Sequence, residues 1–159
     1  MPLTLLALNL LQLQALNAGA ARVDALPVAS GALPCVILAS ATRALQEGKP
    51  PLWFSPFVFV EDVAEQVVGS GSFKGYPVSG RVELGYGVAD QHQDRGIATD
   101  AVGQLLRIAF AEPDVAEVYA ESSTSNQASR RVLEKTGFRH LGQRETVDDG
   151  RVDQWLVSR

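Results

Sequence analysis

Apolar and polar positions alternate with period two from Gly80 to Ala89: Val82, Leu84, Tyr86 and Val88 fall on one face, and Arg81, Glu83, Gly85 and Gly87 on the other. That pattern predicts a strand whose first face packs into a core. Aromatic and β-branched runs over Trp53–Val60 and Glu65–Phe73 predict two strands before it, and the three in succession read as an antiparallel meander. Downstream the period lengthens. Ala98, Val102, Leu105, Ile108 and Ala109 share one stripe of a helix, placed over Thr99–Ala111 and ended before Pro113. Val115–Ser122 reads as another strand. The next helix has Asn126 as N-cap and Gly137 as the residue beyond its end, with Val132 and Leu133 inward. His140–Val147 and Arg151–Val157 flank Asp148-Asp149-Gly150, whose Asp-Gly pair signals a hairpin. Towards the N-terminus, Leu3–Leu8 predicts a short strand, and Leu10–Ala21 and Leu33–Gln46 predict helices, the second ended by Gly48-Lys49-Pro50-Pro51. The order gives an α/β (α+β) three-layer domain, continuous over residues 1–159, with antiparallel hairpins and one strand–helix–strand crossover through 80–122.

A chain of 159 residues, 46% apolar, buries a sizeable core without staples. With Cys35 as the one cysteine, no intrachain disulfide and no cysteine-rich metal cluster is expected, and the thiol is expected to be buried or incidental. His92 and His140 lie far apart with no carboxylate or cysteine pattern around them, so no metal site is expected. The N-terminal apolar stretch is interrupted by Asn9, Gln12 and Gln14, and the first basic residue is Arg22. This argues against a membrane span and a secretory leader and for a cytoplasmic setting. With 14 Lys and Arg against 18 Asp and Glu, the formal charge of −4 argues against a nucleic-acid partner and suits a cationic or amine-bearing one.

Candidate chemistry concentrates where the strand at 81–88 leads into the helix. Glycine inside a strand often marks a place where something approaches the backbone closely, although a bulge or tight turn uses it as well. Gln93-Asp94-Arg95-Gly96-Ile97-Ala98 then precedes the helix, and small residues there expose consecutive N–H groups beside the positive end of the helix dipole. A pyrophosphate suits such a loop, with Arg95 able to add a charge-assisted bond; an ordinary strand-to-helix turn carries the same glycine. Gly69-Ser70-Gly71-Ser72-Phe73-Lys74-Gly75 has a dinucleotide-loop look, but its third glycine falls one place late and a hairpin follows, so no dinucleotide site is expected. Trp53, Phe57 and Phe59 suit the core, or for the first two a pocket wall.

Gln93-x-x-Gly96-x-Ala98 resembles the Gln/Arg-x-x-Gly-x-Gly/Ala signature of the GNAT superfamily of acetyl-CoA-dependent N-acetyltransferases. Asn126-Gln127-Ala128-Ser129-Arg130-Arg131-Val132-Leu133-Glu134-Lys135-Thr136-Gly137-Phe138 is similar to the Asn-x-x-Ser-x-x-Val-Leu-Glu-Lys-x-Gly-Phe run of its RimJ/RimL-like branch, and Glu83-Leu84-Gly85-Tyr86 resembles that branch's fourth strand. The resemblance runs from about Gly69 to Arg159 and is weak before Trp53. It implies a mostly antiparallel central sheet splayed between its fourth and fifth strands, with helices on both faces, and acetyl-CoA as co-substrate. On this resemblance the amides of Gln93, Asp94, Arg95, Gly96, Ile97 and Ala98 hold the coenzyme's pyrophosphate, Thr99 also binds the coenzyme, and backbone at Tyr86, Gly87 and Val88 meets pantetheine and the thioester oxyanion. Asn126 bonds the pantetheine arm, caps its helix, or does both.

The implied reaction is attack of a neutral amine on the thioester, the amine belonging to a protein N-terminus or a small molecule. Glu83 is the expected base, directly or through water, with a structural carboxylate as the other reading. In many members a tyrosine stands where this chain has Leu133 and protonates the leaving thiolate; here the branch points to Ser129, in proton transfer or in hydrogen bonding. The missing tyrosine leaves a second reading, a non-catalytic coenzyme A-binding module. A monomer or a homodimer fits either.

Overall fold

In the computed structural model, which describes residues 2–159, hydrogen bonding links seven strands into one sheet. The elements run β1 (Leu3–Ala7), α1 (Leu10–Asn17), β2 (Arg22–Val23), β3 (Leu26–Pro27), α2 (Cys35–Gln46), α3 (Pro51–Phe54), β4 (Phe57–Glu61), β5 (Gln66–Phe73), β6 (Arg81–Val88), α4 (Ile97–Phe110), β7 (Glu117–Ser123), α5 (Gln127–Lys135), β8 (Arg139–Thr146) and β9 (Gly150–Ser158). The sheet order is β1-β4-β5-β6-β7-β9-β8, and every neighbouring pair is antiparallel except β6 and β7. The parallel pair is joined by the α4 crossover anticipated from the pattern.

The two sheet faces bury different helices. Val82 and Leu84 of β6, Val118 and Ala120 of β7 and Trp155 of β9 pack with Ala101, Val102 and Leu105 of α4 and Leu133 of α5. Val58, Val60 and Val67 pack on the opposite face with Leu13 and Leu16 of α1 and Leu38 and Ala41 of α2. The polar residues that interrupt the N-terminal apolar stretch have a local cause: Asn9 and Gln12 form a reciprocal capping box at the start of α1.

Several boundaries differ from the expected ones. Trp53 and Phe54 lie in α3, not in a strand, because Pro51 at the first helical position fixes its φ for a helical turn; β4 begins after Pro56. Trp53 is nonetheless buried, edge-on to Phe73 with ring centroids 5.2 Å apart. α1 ends at Asn17, short of Ala21: Asn17 caps the Leu13 carbonyl and bonds Thr42, and Gly19 at φ +103 turns the chain into the β2–β3 hairpin. Cys35 opens α2 and is exposed, not buried. Gly69 and Gly71 serve packing within β5, where a Cβ on Gly71 would sit 2.9 Å from Leu105 Cδ1 of α4, and Gly75, at φ +92, lies in the turn beyond the strand. Among the described residues no helix is long and apolar enough to cross a membrane.

Candidate active site

β6 and β7 pair from Arg81↔Glu117 to Leu84↔Ala120 and then part. Past that point β6 stays with β5 as far as Gly69↔Val88, while β7 stays with β9 as far as Ser123↔Val152. Each strand follows its other neighbour, so a gap opens in the sheet. Lys74 N–H donates to the Glu83 carbonyl (2.9 Å) and Ala89 N–H to the Val68 carbonyl (2.8 Å). By the alternation of an antiparallel ladder, Gly85 and Gly87 also direct their N–H groups to β5, and Tyr86 and Val88 direct theirs into the gap.

On the α4/α5 face the gap opens into a cleft of about 320 Å³. Tyr86, Gly87, Val88, Gln93, Asp94, Gly96, Ile97, Ala98, Thr99, Asn126 and Ser129 all line it. The loop reaches the helix through two left-handed residues, Asp94 (φ +60) and Gly96 (φ +77), a conformation that turns successive amides to one side. The first-turn N–H groups of α4 have no intrahelical acceptor. Gln93 ties the loop back by donating from Nε2 to the Val88 carbonyl at 3.1 Å. Asn126 Oδ1 accepts from Ser129 N–H at 3.0 Å, capping α5 and leaving its Nδ2 as a donor. Arg95 alone of the expected set lies outside the cleft lining: its guanidinium is 3.3 Å from the buried Glu61 carboxylate and 2.9 Å from His92 Nδ1.

Three features were not foreseen. Ala128, Arg131, Val132 and Lys135 also line the cleft, at three- and four-residue spacings that put them on one face of α5, a period visible in the sequence. Leu133, expected inward, is fully buried in the core and turned from the cleft. The hydroxyls of Tyr86 and Ser129 are hydrogen-bonded at 2.8 Å, 43 residues apart. Burial pushes the Tyr86 phenol above its ordinary value, against the Ser129 bond, which lowers it.

Glu83 sits on the other side of the sheet. Its Oε2 is 3.1 Å from Lys74 Nζ, and the lysine stem lies over Gly85, where a Cβ would meet Lys74 Cε at 3.1 Å. Across the same face, Tyr119 donates to Glu121 (2.7 Å) and Arg144 pairs with Glu121, holding that carboxyl below the usual range. A second cavity, about 660 Å³, lies on this face under α2 and α3 and includes Gly85, Tyr86, Gly87 and Val88. The two spaces therefore meet at residues 86–88.

α5 is anchored from behind. The buried Asp153 carboxylate is 2.7 Å from His140 Nε2, 3.2 Å from Gln143 Nε2 and 3.8 Å from Arg130 of α5. Burial raises the Asp153 carboxyl, but the His140 and Gln143 bonds and the His140 and Arg130 charges outweigh it, so it titrates below its ordinary value. A depressed carboxyl contributes stability that is present above its unfolded-state value and lost as pH falls through the folded one. Asp153→Asn is expected to lower Tm near neutrality, with the gap to the parent narrowing as pH drops below the ordinary carboxylate range. Melting curves across that range check it; a gap independent of pH contradicts it.

The acetyltransferase (GNAT) domain family model matches residues 37–139. An uncharacterised N-acetyltransferase of Bacillus subtilis, YjdG, is 28% identical over 54% of this chain and 51% of its own length, so the chain spans about half of that relative. Among solved structures, aminoglycoside acetyltransferase AAC(6′)-Ib in complex with ribostamycin and coenzyme A superposes with a TM-score of 0.68 at 20% identity, covering 100% of this chain and 94% of that one. RimL, a ribosomal L7/L12 α-N-protein acetyltransferase in complex with coenzyme A, gives 0.70 at 17% identity, covering 98% and 93%. Likeness at these identities establishes a common fold.

Proposed function

Because the chain belongs to the acetyltransferase (GNAT) domain family, we propose that it is an enzyme of the RimJ/RimL-like branch that transfers an acetyl group from acetyl-CoA to a primary amine, residues 1–159 acting as one catalytic domain. The observation that carries this reading is the parting of β6 from β7 after Leu84↔Ala120, with a cleft on one face and a cavity on the other that meet at Tyr86–Val88.

The amides of residues 93–99 suit the pyrophosphate of coenzyme A, at the positive end of α4. Arg131 and Lys135 add positive charge along the same cleft. The Tyr86 and Val88 N–H groups, facing the gap, are donors for an extended pantetheine arm and for the oxyanion that forms when the thioester carbonyl is attacked. Asn126 contributes its free amide donor.

The acceptor enters from the Glu83 face. An ammonium group is not nucleophilic, so one proton must leave before attack; Glu83 receives it through water. As the tetrahedral intermediate collapses, the departing sulfur needs a proton. The Tyr86–Ser129 hydroxyl pair supplies it from the cleft side, and the pair regains a proton through solvent as the acetylated nitrogen gives up its second one. This pair stands in for the tyrosine that Leu133 replaces.

Tyr86→Phe is expected to lower kcat about 10²-fold, and Ser129→Ala less, because water replaces a hydroxyl more readily than a buried phenol. Coenzyme A affinity should stay near the parent's. Undiminished kcat in both variants contradicts the donor assignment. The transferase reading itself is tested by thiol release from acetyl-CoA across a panel of peptides, amino acids and amines: turnover supports it, and tight coenzyme A binding without turnover favours the non-catalytic module.

A further inference from the structure

We infer that the second cavity is built for a primary monoamine with an apolar body and discriminates against polycationic amines. Its identity as the acceptor site rests on the transferase reading above; its binding preference rests on its walls. Pro34 and Ile37 of the α2 segment, Trp53 and Phe54 of α3 and Phe73 of β5 make those walls apolar and aromatic. Polar groups are few: the hydroxyls of Ser40, Ser70 and Ser72, and the ammonium of Lys74. Among the described residues lining the cavity, none is a carboxylate. The carboxylates on the adjoining sheet face, Glu83 and Glu121, are engaged by Lys74 and Arg144.

That distribution sets the substrate class. One amino group brought to the end of β6 gives up its proton on the way to becoming a nucleophile, so it leaves no charge buried. A second or third ammonium on the same molecule would remain charged against Ile37 and Trp53 with no carboxylate to pair with, and Lys49, 5.7 Å over the Phe54 ring, already occupies an aromatic face that would attract it. Lys74, lying over Gly85, repels it further. The chain's formal charge of −4 would by itself attract polycations; the cavity opposes that general bias. Gly87 keeps the amine end open, since Ser70 stands directly opposite it in the ladder and a Cβ built on it meets nothing within 4 Å, whereas Gly85 lies under the Lys74 stem.

The test is calorimetric titration of the full chain, saturated with coenzyme A, with 2-phenylethylamine, spermidine and kanamycin, with thiol release from acetyl-CoA followed separately. 2-Phenylethylamine is expected to bind at least about tenfold tighter than either polycation. Ser40→Asp adds a carboxylate at an exposed helical position of the cavity wall and should strengthen spermidine several-fold more than it strengthens 2-phenylethylamine, narrowing the gap between them. Spermidine or kanamycin binding as tightly as 2-phenylethylamine, no binding of 2-phenylethylamine, or no response of spermidine to Ser40→Asp overturns the inference. Preferential 2-phenylethylamine binding without thiol release upholds the cavity's preference and contradicts the transferase reading.

Discussion

Glu83→Gln is expected to lower kcat/KM for amine acetylation about 10²- to 10⁴-fold, the usual cost of losing a general base. The acidic limb of the pH–rate profile should flatten with it, because that limb reports the base taking up its own proton. Folding should survive: the Lys74 pair that the substitution removes is largely exposed, and such pairs contribute about 0–1 kcal/mol. Coenzyme A binding should also survive, because Glu83 lies across the sheet from the cleft and is not among its lining residues. A variant with undiminished kcat/KM and an unchanged acidic limb reduces Glu83 to a structural partner of Lys74.

Gly96→Glu is expected to abolish the stabilisation that acetyl-CoA confers. A ligand at a hundredfold excess over Kd stabilises the folded state by about 2.7 kcal/mol, which for a chain of this size raises Tm by roughly 5–10 °C. Gly96 holds φ +77 where the loop enters α4. A side chain there is strained in the left-handed region, and its carboxylate would stand where the amides and helix end favour an anion. Gly96→Ala separates the two effects: it carries the backbone strain without the charge and should retain part of the shift. If Gly96→Glu folds and keeps the full acetyl-CoA shift, the pyrophosphate does not lie on this loop.

What was legible in the sequence is what local chemistry controls. The alternation at 81–88 marked Val82 and Leu84 as buried, and the Asn126 and Gly137 signals mark the true ends of α5, with Gly137 at φ +94. The residues expected around the coenzyme come together, except Arg95, because a strand end, a loop and two helix starts fix backbone positions within short stretches of chain. Partnerships between distant side chains were not legible. Periodicity assigns a residue to a face, but not the neighbour it meets there: Arg95 meets Glu61 from 34 residues away, and the Tyr86 hydroxyl meets Ser129 from 43. Trp53 and Phe54 misled for a different reason. Aromatic texture favours strands, and two prolines set a helical turn that overrode it. Cys35 carries helical spacing to Leu38, yet it lies with Val36 on an exposed first turn, where the repeat no longer implies burial.

Coenzyme A is expected to lie in the gap between the parted strands, held by backbone N–H groups of β6 and of the loop into α4. Hydrogen–deuterium exchange of the full chain with and without acetyl-CoA reads those groups directly. Slowed exchange is expected at residues 86–88, 93–99 and 126–129, with little change in β1 or the β2–β3 hairpin. Binding of acetyl-CoA that leaves the amides of 86–88 and 93–99 exchanging as in the free protein would contradict it.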